Sequence, residues 1–149
     1  MVRVLVRDFY SIRLATAACI LVVAGCAQTP STLRIEAWNV NLDVALTQKA
    51  REIGLSGRRT LESDGLLLAM PDEGPKALWM RNTFVPLIAI ALDEAGCIVA
   101  VKELMPLDEP TIYLPNSTRW IVELIEPVKN DLYSQQNCLD AGSLPLPID

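Results

Sequence analysis

From Val40 to Leu46 the chain alternates, with Val40, Leu42, Val44 and Leu46 separated by Asn41, Asp43 and Ala45. A period of two describes a half-buried strand. "LRIEA" just before it reads as the strand that opens the domain. In "TQKAREIGL" the spacing lengthens to that of a short helix. Leu46, Ala50 and Ile53 fall on one side, Thr47 is the N-cap, and Gly54 closes the last turn with Leu55 folding back over it. "GLLLAM" is a further strand, stopped by the turn residues of "PDEGP". In "LIAIALDEAGCIVAVKEL" two apolar runs flank Asp93-Glu94-Ala95-Gly96, the pattern of a hairpin whose Gly96 supplies a positive φ. Met105 to Arg119 is loop-rich, with a short strand at "TIYL". "RWIVELI", Arg119 to Ile125, is another strand. Pro127 opens a short helix through Tyr133, and "LPLPID" ends the chain extended. About six strands with one or two short helices predict an α+β fold: a compact, mainly antiparallel β-sheet or partly closed barrel.

The first 25 residues stand apart. Arg3, Arg7 and Arg13 form a basic start, and the apolar run Leu14–Gly25 is too short for a membrane span but suits a signal-peptide core. It ends in "VAGC", small residues before Cys26, as in a bacterial lipoprotein signal cut before an acylated cysteine. The expected organisation is a signal peptide over 1–25, a lipidated tether over 26–32 and one globular domain over 33–149. Ala27, rather than an aspartate, after Cys26 favours the outer over the inner membrane. The expected location is therefore the periplasmic side of the bacterial envelope, with the membrane as partner through acylated Cys26.

Charge narrows the partners. The chain carries a formal net charge of −5, and loss of the leader makes it more acidic still. Without a basic cluster, nucleic acid is not an expected partner. The chain has no histidine, which removes His-dependent triads and the commonest zinc ligand. No glycine-rich phosphate loop or nucleophile elbow occurs, so no metal or cofactor is expected. Asp72-Glu73, Asp93-Glu94 and Asp108-Glu109 lie in turns, where acids are ordinarily solvated. Once Cys19 leaves and Cys26 is acylated, Cys97 and Cys138 remain, either bridged or as separate thiols.

Two places break the core pattern. On "RWIVELI", Trp120, Val122 and Leu124 share one side, and Ile121, Glu123 and Ile125 the other. A carboxylate on a strand covered on both faces is costly unless it is paired or neutral. Glu123 is either half of a structural ion pair, with Arg81 its first candidate partner, or a ligand contact with a raised pKa. In "ALWMRNTFVPL", strand alternation sets Trp79, Arg81 and Thr83 on one side and Leu78, Met80 and Asn82 on the other. An indole beside a guanidinium either covers a core edge or binds a sugar ring or carboxylate.

Together "GLSGR", "DGLLLAM", "LWMRNTFVPL", "IALDEAGCIVAV" and "WIVEL" make Val40–Leu124 resemble the domain of unknown function 192 family. "WMRNT" followed by "PL" is the most specific segment. The resemblance implies a small β-rich α+β fold, frequent export and no established activity. Ser56 stands where methionine is common, Ile88 where an aspartate is common, and "ELIEP" lacks the usual glycine. Gly142-Ser143 replaces a closing glycine-aspartate.

The leading expectation is a lipid-anchored binding or accessory module for a small polar or glycan-like envelope ligand held by Trp79, Arg81, Asn82, Thr83 and Glu123. The rivals are an envelope hydrolase using Glu123 with Arg81, and a structural lipoprotein that binds other proteins.

Overall fold

The computed structural model describes residues 32–72, 74–125 and 138–148. The leader, Cys26 and the Pro127–Tyr133 helix lie outside the described residues. Six strands form one sheet: β1 (Thr32–Ile35), β2 (Val40–Ala45), β3 (Gly65–Ala69), β5 (Leu87–Leu92), β6 (Ile98–Leu104) and β8 (Trp120–Ile125), in the order β1-β2-β3-β8-β5-β6. Two further strands, β4 (Ala77–Leu78) and β7 (Ile112–Tyr113), pair with each other. The fold is α+β and mainly antiparallel. The sheet stays open, because among the described residues β1 and β6 remain at opposite edges rather than joining into a barrel.

One pairing, β2 with β3, is parallel. A parallel pair needs a crossover, and helix α1 (Gln48–Ile53) supplies it. Thr47 caps α1 by accepting a hydrogen bond from the Ala50 amide at 3.2 Å. Gly54 follows with φ 50, and Leu55 is buried as expected. Ile53 departs from expectation: it is 51% exposed. No residue of α1 is buried, so Ile53 shares the exposure of the helix as a whole.

The sheet is covered on both faces. One side packs Leu42, Leu67, Ile90, Val122 and Leu124 with Trp38 and Trp120. The other packs Leu66, Leu68, Ala89, Ala91 and Ile121 under Leu55, Leu78 and Met80. Each large aliphatic side chain so buried contributes about 1.5–3 kcal/mol before conformational costs. The β5–β6 hairpin turns at Gly96 with φ 78. A side chain there would also strike the Leu139 carbonyl, 2.4 Å from the added carbon. That contact exists because a disulfide joins Cys97 to Cys138 and lays the C-terminal segment over the first face. The Trp120 indole N–H donates to the Pro145 carbonyl at 2.6 Å on the same side.

Candidate functional site

The second face opens into a cavity of about 430 Å³. Strand β8 sets Glu123 at its base, opposite Leu66 of β3 and Ala89 of β5. Leu68 of β3 and Leu87 of β5 continue the floor. Arg51, Glu52 and Ile53 of α1, with Leu55, form one wall. Met70, Pro71, Leu78 and Met80 form the facing wall. Trp79, 44% exposed, and the exposed Arg81 line the mouth.

Glu123 is only 7% exposed, yet its carboxyl has no hydrogen-bond or ion-pair partner among the described residues. Burial raises its pKa from 4.5 to about 7. The ion pair expected with Arg81 is not formed. Chain geometry explains this, since β4 ends at Leu78 and strand alternation does not extend through Arg81. The Thr83 amide donates to the Met80 carbonyl at 3.0 Å, and Asn82 takes φ 55. Arg81 therefore stands at an exposed turn. Asn82 does not line the cavity, and its carbonyl accepts from the Gly57 amide at 2.8 Å. Thr83, 4% exposed, does line it. The site thus unites Trp79, Arg81, Thr83 and Glu123 and leaves out Asn82.

Several polar side chains brace the walls. The Arg51 guanidinium donates to the Leu46 carbonyl at 2.5 Å and the Ala69 carbonyl at 3.2 Å, tying α1 to the ends of β2 and β3. Lys76 is buried at 2% exposure and donates to the Pro71 carbonyl. Burial, and then the neighbouring Arg119, lower its pKa. Arg119 donates to the Met70 carbonyl at 3.1 Å and pairs with Asp72. These contacts hold the segment around Met70 and Pro71 against the sheet, where it serves as a wall. The sequence reading missed both walls. Its only local signal was a lysine amid the prolines and glycine of a turn.

Ile88 lies on the other face, partly buried against the cluster of Ile90 and Leu124. An apolar residue at this position extends the core away from the cavity. Among the described residues no cluster of acids and cysteines could hold a metal ion, and no helix is long and apolar enough to cross a membrane.

The model of the family DUF192, described as "Uncharacterized ACR", matches residues 31–130. No curated protein matches the chain. A crystal structure of a protein of unknown function from Novosphingobium aromaticivorans DSM 12444 is similar with a TM-score of 0.58 at 19% identity, over 72% of this chain and 79% of that one. Another, described as a "putative transcription regulator" from Sinorhizobium meliloti 1021, has a TM-score of 0.55 at 23% identity, over 68% and 78%. Similarity at these identities concerns the fold alone.

Proposed function

This chain belongs to the DUF192 family, and on that footing we propose that it is a binding module that takes a small molecule of the cell envelope into the cavity above β8. One observation carries the reading: a buried carboxyl without a partner among the described residues lines an open, largely apolar cavity whose mouth bears an indole and a guanidinium. Leaving a polar group unsatisfied in a low-dielectric site is costly, and a ligand that satisfies it recovers that cost. Apolar walls bind the body of the guest, while Arg81 and the Trp79 ring face select what stays at the mouth. The "VAGC" leader supports a tether at Cys26 and a periplasmic setting.

Intrinsic fluorescence tests the binding reading directly. Trp38 and Trp120 are buried, so Trp79 is the tryptophan placed to sense a guest. Titration with muropeptides, glycan fragments, uronic acids and small amphiphiles is expected to give at least one saturable change, lost in Trp79→Phe. A flat response across the panel rejects the reading. The tether is checked separately, by release of the Cys26→Ser protein from the membrane fraction.

A further inference from the structure

We infer that the cavity receives a molecule bearing a primary ammonium group on an apolar body, with the ammonium seated against the Glu123 carboxyl. This rests on the binding reading above and names its ligand class.

The argument begins with what faces Glu123. Helix α1 contributes Arg51 and Glu52, the stretch from Met70 to Thr83 contributes Arg81, and β3 and β5 contribute only apolar side chains. Arg51 is engaged with the Leu46 and Ala69 carbonyls. Arg81 is exposed, where water and salt screen its charge. No described cation pairs with Glu123. Among the described residues nothing supplies the cation that would complement this carboxyl, and a cationic guest would.

Head-group chemistry then separates the classes. An anion at the base of the cavity meets a second acid and needs an extra proton to be tolerated. An alcohol forms one neutral hydrogen bond. An ammonium brings three donors to a carboxylate that can only accept, and charge-assisted bonds are roughly twice as strong as neutral ones. Leu55, Leu68, Met70, Leu78, Met80 and Leu87 surround the path from mouth to base, so the part carrying the ammonium must be apolar. Because Glu123 titrates at about 7 in the folded protein, ionising it near neutral pH costs little. Binding an ammonium then releases a proton from Glu123 to solvent, and the guest is charged before and after.

The test uses the purified full-length protein and three probes with one apolar body, a phenylethyl group: 2-phenylethylamine, 2-phenylethanol and 3-phenylpropionate. Tryptophan fluorescence gives affinity, and calorimetry in buffers of different ionisation enthalpy counts protons. The amine is expected to bind at least tenfold tighter than the other two, with proton release at neutral pH. Its affinity should rise about thirtyfold from pH 5.5 to pH 8, as expected for a carboxyl titrating near 7. Glu123→Gln is expected to lose at least tenfold in amine affinity. If that variant does not fold, the proton count on the unaltered protein decides. Equal or tighter binding of the alcohol or carboxylate, unchanged amine affinity in Glu123→Gln, or the absence of proton release overturns the inference. So does failure of all three probes. If another panel molecule still binds, the binding reading survives. If none does, both fall.

Discussion

Glu123 sets the behaviour of this protein at the scale of a single residue. Its carboxyl ionises near 4.5 in the unfolded chain and near 7 in the folded one. Between those values the unfolded state has lost the proton and the folded state still holds it. Stability is therefore full below about pH 4.5 and declines as pH rises through 7. The difference corresponds to about 3 kcal/mol, an upper figure for a residue that touches a cavity. Urea denaturation from pH 4.5 to 8 is expected to show this decline in the unaltered protein. Glu123→Gln, which carries no titrating group, should flatten it and be the more stable protein at pH 8. A buried arginine partner for Glu123 would instead make stability rise with pH. A residue useful only for folding would be apolar here, and the stability forgone at this position is the cost of a polar base to the cavity.

At the scale of elements, β8 is the axis of the molecule, with β3 on one side and β5 on the other. Its pairing with β3 begins at Gly65, whose neighbour across the ladder is Leu124. An added β-carbon at Gly65 would lie 2.0 Å from the Glu123 carbonyl oxygen. Backbone cannot yield as a flexible side chain does. Gly65→Ala is expected to destabilise the fold by about 3 kcal/mol, read from denaturant midpoints. Hydrogen exchange should show the loss of protection concentrated in β3 and β8. Alternation along Val40–Ala45 was legible because Asn41 and Asp43 lie on the less covered face of β2, and the apolar run Trp120–Ile125 was legible because β8 is covered on both faces. Alternation through Trp79–Thr83 failed because a turn centred on Arg81 and Asn82 replaced the strand after Leu78. Trp79 and Arg81 nonetheless reach the same cavity, through a turn rather than through a shared strand face.

At the scale of the whole molecule, the two faces of the sheet divide the labour. The disulfide between Cys97 and Cys138 closes a loop with a sequence separation of 41. It holds Leu139 and Leu144 over the face opposite the cavity. In the chain-entropy account such a loop contributes about 4 kcal/mol. Reduction, or the double variant Cys97→Ala/Cys138→Ala, is expected to lower stability by that order in chemical denaturation. Affinity for any cavity probe, measured while the protein remains folded, should be unchanged. A coupled loss of affinity would show that the faces are not independent.

The sequence by itself determined the strands, the capped helix, the hairpin turn and the anomaly of a carboxyl at Glu123. Each is a local consequence of side-chain period, backbone freedom or the cost of burying charge. Membership of the family was legible for the same reason, since "WMRNT" and its neighbours are contiguous along the chain. Only the tertiary structure decided that β2 and β3 run parallel, that Cys97 meets Cys138, and that Glu123 faces a cavity instead of Arg81. Those outcomes depend on which distant segments share a face, and spacing along the chain carries no such distance. The walls from α1 and from the segment around Met70 and Pro71 exist because α1 crosses over the sheet and because Lys76 and Arg119 bind the carbonyls of Pro71 and Met70.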